Sequence, residues 1–303
     1  MKKKISKRIF GIFLLSSLIA VGCGGKQDPI PTPEPEPEPE PEPVQSYYPK
    51  SEGAFRLVTY NVGNFGKYIT DMNENIKLVA DMMKELEADV VGLNELDYMN
   101  SRHQANQAKE LALAMGGWQW YFGRAISYKG GLYGNGAVLP EDVKISRSYT
   151  ISLPTMSSYE PRAVSFIETE KYVLTVTHLD HSSEDYIQSQ ISTINDWVAN
   201  NYNDSPKPVF LLGDMNSNPG SKAIKALETQ WEVISSPENS ASGNVNPTRC
   251  IDYIFHLRSS AAVTVIEGHT PMQFYCGDVT QASDHHPVYV DVKFQGAVIA
   301  SIE

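Results

Sequence analysis

Between Pro29 and Pro43 the sequence reads PIPTPEPEPEPEPEP. Proline has no N–H to give to a helix or a strand ladder, and the repeated glutamates repel one another. Such a segment favours extended polyproline II, rising about 3.1 Å per residue. It therefore divides the 303-residue chain. Whatever folds cooperatively lies after it, and whatever precedes it is joined by a stiff, solvated spacer. A peptide-recognition motif is the weaker alternative.

The preceding segment, residues 1–22, has the layout of an export signal. Lys2, Lys3, Lys4, Lys7 and Arg8 stand before an apolar run from Ile9 to Val21. That run is short of the ~20 residues a membrane helix needs. It ends in AVGC, small residues directly before Cys23. This resembles the lipobox of bacterial lipoproteins, which implies a lipidated Cys23 as mature N-terminus and a cell-envelope protein anchored outside the cytoplasm. An ordinary signal peptide with an incidental cysteine is the alternative. The expected organisation is a signal over 1–22, a Pro/Glu-rich linker over 23–50 and one domain over 51–303.

About 250 residues are enough for one domain with a sizeable core. Of the chain's 25 basic and 36 acidic residues, 7 and 6 precede Ser51, which leaves 18 against 30 and a net of −12. A tight nucleic-acid binder draws most of its affinity from neutralising phosphates, so this charge disfavours one without excluding an enzyme that acts on polyanions with a metal. Cys250 and Cys276 are the remaining cysteines. In an exported protein they are compatible with a disulfide or with two buried thiols.

Along the domain, strand composition recurs in FRLVTYNV (55–62), DVVGL (89–93), WQWYF (118–122), GAVL (136–139), AVSFIE (163–168), YVLTVTHL (172–179) and PVFLLGD (208–214). CIDYIFHL, AVTVIE and PVYVDVKF close the series. Helical periodicity marks 75–90, 105–115 and 184–200. A further helix follows Asp214, with Asn218 as N-cap and Pro219 at its first position. No internal repeat is visible. Strands mixed with few helices, and strand after strand late in the chain, predict an α/β sandwich with two packed sheets and helices outside.

Six of these runs meet polar residues a core would reject: Asn61; Asn94 and Glu95; His178 and Asp180; Asp214 and Asn216; Asp252; Asp284 and His285. Burying one unpaired carboxylate costs several kcal/mol. A shared destination is the simplest account: one sheet edge where carboxylates hold a cation and histidines meet an anion. Singly, each residue reads as a turn former or an exposed loop group.

The series TYNV (59–62), LNEL (93–96), YGNGAVL (133–139), THLDH (177–181), GDMNSNP (213–219), IDYIF (251–255) and SDHHPV (283–288), in that order, resembles the endonuclease/exonuclease/phosphatase family. Asn94 departs from the Gln common there, and Met215 from a frequent Phe. The resemblance implies a four-layer α/β/β/α sandwich of two mixed, mostly antiparallel sheets flanked by helices, and metal-dependent phosphoester hydrolysis. It implies Glu95 as principal ligand of Mg²⁺ or Mn²⁺, with Asn61 and Asp284 in the metal shell. Asp214 matches the residue that orients or deprotonates the attacking water, and Asn216 a donor to the scissile phosphate. His285 and His178 match the pair flanking the phosphate, and Asp252 the carboxylate that holds His285 in one tautomer. Asn135 and Arg162 match phosphate contacts. His181 and His286, beside motif residues, read as structural or surface.

Specificity is expected from loops 64–75, 121–135, 154–161 and 236–249, which offer Tyr68, Tyr128, Tyr133 and Tyr159 but few cations, chiefly Lys67, Lys129 and Arg162. Each substrate phosphate wants its own cation. The expected partner is therefore a small phosphomonoester or phosphodiester, with nucleic acid possible but not favoured, and the protein is expected to be a monomer. A surface nuclease is the alternative activity. A binding lipoprotein without catalysis is the alternative of another class, and the completeness of the carboxylate and histidine set speaks against it.

Overall fold

In the computed structural model, which describes residues 45–156 and 158–295, twelve strands form two six-stranded sheets. The expected signal over 1–22, Cys23 and all of the linker before Gln45 lie outside the described residues.

The first sheet holds β1 (Phe55–Asn61), β2 (Val90–Tyr98), β3 (Gln119–Tyr128), β4 (Gly131–Leu139), β11 (Val263–His269) and β12 (Val288–Phe294), in the order β11-β12-β1-β2-β4-β3. The second holds β5 (Ile145–Ser152), β6 (Ala163–Thr169), β7 (Val173–His178), β8 (Val209–Asp214), β9 (Trp231–Val233) and β10 (Asp252–Leu257), in the order β5-β6-β7-β8-β10-β9. Each sheet has a single parallel pair, β1–β2 and β7–β8, and the other pairings are antiparallel. A parallel pair needs a helical crossover. α1 (Met72–Glu85) supplies the first and α3 (Glu184–Tyr202) the second. The two halves thus share a design that the sequence does not display as a repeat.

Three apolar clusters define the layers. Val58, Tyr60, Val91 and Leu93 pack against α1 and α2 (Gln107–Ala114). Phe166, Val209 and Leu211 pack against α3 and α4 (Lys222–Leu227). Leu57, Val90, Val176, Leu212, Ile254 and Val290 meet between the sheets. Alternate residues of one strand serve the two faces, as a strand's two-residue period requires. The architecture is the expected α/β/β/α sandwich.

Local differences have local causes. Residues 121–135 are no loop but the β3–β4 hairpin, turned at Lys129 and Gly130 (φ 46° and 84°). Positive φ at both turn positions gives the tight turn that matches strand twist. The last short helix is capped by Ser221, whose Oγ accepts the Ile224 N–H at 3.2 Å, rather than by Asn218. Gly220 at φ 76° breaks the run after Pro219. β5 and β9, unmarked by the sequence patterns, edge the second sheet. Cys250 is buried, Cys276 is exposed, and both are free.

Candidate active site

Register brings the polar strand ends together. In the second sheet His178 pairs with Asp214 across β7–β8, and Asp252 pairs with Asp214 across β10–β8. Paired residues on neighbouring strands stand about 4.8 Å apart. Three titratable side chains from three strands are therefore neighbours by construction. In the first sheet Asn61 pairs with Asn94 across β1–β2.

Asn94 ties the sheets to one another. Its Oδ1 accepts the Asp214 N–H at 2.9 Å, and its Nδ2 donates to the Thr177 carbonyl at 2.9 Å and to Asn135 Oδ1 at 3.1 Å. The close approach depends on Gly213 (φ 141°), where a Cβ would collide with the Thr177 carbonyl oxygen.

Glu95 lies inside β2 rather than after it. The β2–β4 register shifts between Leu93 and Leu96, and Glu95 takes φ 62°. A bulge re-aims a side chain that would otherwise follow the pleat, and a non-glycine residue at positive φ persists only where its surroundings hold it. The bulge sets Glu95 beside Asn61, whose Nδ2 donates to Glu95 Oε1 at 3.0 Å and to Asp214 Oδ2 at 3.2 Å. The same Asp214 oxygen lies 3.5 Å from His178 Nε2 and 3.7 Å from His285 Nε2. One carboxylate oxygen thus faces an amide and two imidazoles.

The two histidines differ in charge because their neighbours differ. His285 Nδ1 donates to Asp252 Oδ2 at 2.8 Å, and the Ser240 hydroxyl donates to the same oxygen at 2.6 Å. Burial pulls the His285 imidazolium down, but Asp252, Asp214 and Asp284 outweigh it and lift it to about 10. His178 is buried with the Arg162 guanidinium 3.3 Å from Nδ1. Burial first, then that cation and His285, hold its pKa well below the ordinary value. Burial and the adjacent Asp252 push the Asp214 carboxyl up to about 7, against the pull of His285. The Asn216 N–H donates to Asp214 Oδ1 at 2.8 Å, and its Nδ2 lies 3.0 Å from His178 Nε2. Asn216 adopts φ 50°, and its Nδ2 donates to the Leu179 carbonyl at 3.0 Å.

The remaining expected residues lie on the same edge with their polar atoms largely engaged. Asn135 Oδ1 accepts from Asn94 and its Nδ2 donates to the Ala163 carbonyl at 3.1 Å, leaving one amide hydrogen. Arg162 is buried, donates to Glu160 Oε1 at 2.6 Å and has no partner at Nε. Asp284 Oδ2 is ion-paired with Lys67 at 2.7 Å. Asp180 turns away to accept the N–H groups of Ser182 and Ser183. His181 is exposed, and His286 is buried with Nε2 against the Asn244 carbonyl at 2.8 Å. Tyr133 belongs to strand β4, where burial and the neighbouring Glu95 raise its pKa. Arg102 covers Tyr133 and Tyr128 at 5.4 and 4.6 Å from their ring centroids. Neither Tyr133 at the carboxylate nor Lys67 at Asp284 was expected. Lys67 left a trace only as one of few cations near the rim.

Two donor sets bear on a cation. Asp214, Asp252 and His285 present ligand atoms within 4.8 Å of one another, and this buried group could bind a metal. Asp252 and His285 are, however, already engaged with each other through Oδ2 and Nδ1, which leaves Asp252 Oδ1 and His285 Nε2. Glu95, which accepts from Asn61, and Asp284, which is paired with Lys67, are less buried carboxylates, and an oxygen set suits a hard divalent ion that keeps some of its waters. Asn61 here turns its nitrogen to Glu95 and its Oδ1 to the Gly63 N–H at 3.1 Å. Service as an oxygen ligand requires the opposite amide orientation.

The chain is similar in structure to the mannosyl-6-phosphatase of Bacteroides thetaiotaomicron VPI-5482, with a TM-score of 0.65, 16% identity, and coverage of 79% of this chain and 100% of that one. An endonuclease/exonuclease/phosphatase of Bacteroides vulgatus gives 0.62, 17%, 80% and 99%. The human Nocturnin catalytic domain with bound sulfate gives 0.57, 18%, 80% and 93%. At these identities the likeness concerns the fold. No curated protein matches the sequence. The sequence profile of one family matches residues 58–285, most of the folded domain. The chain belongs to the endonuclease/exonuclease/phosphatase family.

Proposed function

We propose that the protein hydrolyses a small phosphoester in a divalent-metal-dependent reaction, by in-line attack of water without a covalent enzyme intermediate. Members of its family are phosphoester hydrolases. The observation that carries the reading is the convergence on Asp214 Oδ2 of Asn61, His178 and His285 at 3.2, 3.5 and 3.7 Å. Asp214 orients the water and accepts its proton. Asn216 donates to the phosphoryl oxygens, and His285 and His178 stabilise the charge that develops there. Asp252 orients the His285 ring and holds it protonated. Arg162 holds His178 neutral from behind and, with the free hydrogen of Asn135, supports the phosphate side. Mg²⁺ or Mn²⁺ held by Glu95, Asn61 and Asp284 would neutralise phosphate charge and lower the pKa of bound water.

The domain's charge of −12 and its few rim cations favour a substrate with one or two phosphates over duplex DNA. The sugar phosphatase among the structural neighbours supports a phosphomonoester of a sugar. Hydrolysis of a hexose phosphate, a phosphodiester and supercoiled plasmid, each with Mg²⁺ and with chelator, tests the reading. Metal-dependent release from the small ester supports it, and plasmid nicking far faster than any small-ester hydrolysis makes the protein a nuclease. No described helix is long and apolar enough to cross a membrane. The proposed attachment, of a monomer at the cell envelope, is a lipid on Cys23.

A further inference from the structure

Beyond Asn216 the active-site edge continues into a cleft of about 430 Å³ that none of the assigned roles uses. It lies between the start of α3 and the turn before α4. His181, Ser183, Glu184, Asn216, Ser221 and Arg249 line it. Its chemistry is mixed and mostly polar, with Ile187 and Pro219 as its apolar part. Arg249 only donates, the Glu184 carboxylate only accepts, and the serine hydroxyls do both. Neither Arg249 nor Glu184 has an ion-pair partner among the described residues, and Glu184 Oε1 accepts only from Gln188 Nε2 at 3.2 Å. The Ser183 hydroxyl caps nothing. Arg249 is held in place by one side-chain bond, from Nη2 to the Asn216 carbonyl at 3.1 Å. It is therefore fixed to the residue beside the scissile phosphate and leaves its other donors toward the cleft. No Phe, Tyr or Trp lines the cleft, so a nucleobase would have only the His181 imidazole or the Arg249 guanidinium to stack on.

We infer that this cleft binds the organic part of the substrate, that this part is a polyhydroxylated ring or chain, and that Arg249 and Glu184 are the specificity-determining residues. A polyol presents donors and acceptors in alternation, which is what opposed carboxylate, guanidinium and hydroxyl groups can pair. A lipid tail would meet only the small apolar part formed by Ile187 and Pro219, and a second phosphate would face Glu184. The inference deepens the phosphoesterase reading and rests on its placement of the phosphate beside Asn216.

Equilibrium binding separates the two. Full-length protein carrying Asp214→Asn is titrated calorimetrically with a hexose 6-phosphate and with inorganic phosphate, with and without Arg249→Ala. The ratio of the two affinities is expected to fall about tenfold on Arg249→Ala, the weight of one to two hydrogen bonds. Glu184→Gln, on the opposite wall and in an exposed position, is expected to lower the ratio about threefold to tenfold and keeps the test readable should Arg249→Ala fold poorly. An unchanged ratio in both variants overturns the inference. Because the readout is binding, an enzyme inert toward every ester would refute the hydrolase reading and leave the result on the cleft intact.

Discussion

Replacing Asn94 by alanine tests whether the two sheets are clasped at the candidate active site. The side chain is fully buried and makes three hydrogen bonds, to the Asp214 N–H, the Thr177 carbonyl and Asn135 Oδ1. Alanine leaves these partners in a space without water to replace the amide. Each buried polar group so stranded costs about 1–3 kcal/mol. Asn135 keeps its bond to the Ala163 carbonyl and so loses least of the three, and the sum expected is about 3–6 kcal/mol. For a domain whose whole stability is about 5–15 kcal/mol this is severe. With a urea m-value of about 3 kcal/mol/M the unfolding midpoint falls by about 1–2 M at unchanged m. Asn200→Ala, on the exposed side of α3, is the control and stays within about 0.5 kcal/mol. A midpoint shift below about 0.3 M for Asn94→Ala would refute the claim that this residue joins the sheets.

His285→Ala is expected to lower kcat by about 10²–10⁴. Adding Asp252→Ala should cost little more if the pair acts as a unit, and multiplicative losses in steady-state kinetics would show that it does not. Asp291 receives the buried Arg56 guanidinium at 2.6 and 2.8 Å; burial raises its carboxyl pKa, but Arg56 and the Ser51 N–H outweigh this and hold it below the usual carboxylate range. Asp291→Asn should therefore cost about 3 kcal/mol or more at pH 7. A depressed folded-state pKa gives stability that is present above the unfolded value and lost on acidification, so the gap between parent and variant in thermal unfolding should close as pH falls below about 4. Cys23→Ala should move the protein from membrane to soluble fractions, and equal partitioning would speak for an ordinary secreted form.

Much of the site was legible because strand ends are punctuated. Asn61, His178 and Asp214 end strands and Asp252 begins one, so apolar runs meeting polar residues already pointed to one edge. What stayed hidden depends on contacts between distant strands. Nothing local in LNEL announces a bulge, yet the bulge aims Glu95. Nothing in Asn94 distinguishes a turn former from a clasp until β4, β7 and β8 are beside it. The segment SYKGGLYG has the glycine and tyrosine content of a loop and of a hairpin alike, so Tyr133 was read as rim rather than as a strand residue facing Glu95. The expected cap at Asn218 failed because Gly220 interrupts the run that Pro219 would have opened.

The most direct measurement is phosphate release from a hexose 6-phosphate by the parent protein and by Glu95→Gln, across a Mg²⁺ titration and with chelator. The account predicts that chelator abolishes release, that Mg²⁺ restores it, and that Glu95→Gln keeps the parent melting temperature while losing at least about 10²-fold in kcat/KM at any Mg²⁺ concentration. Release insensitive to chelator, or a Glu95→Gln protein that matches the parent's rate and Mg²⁺ dependence, would contradict it.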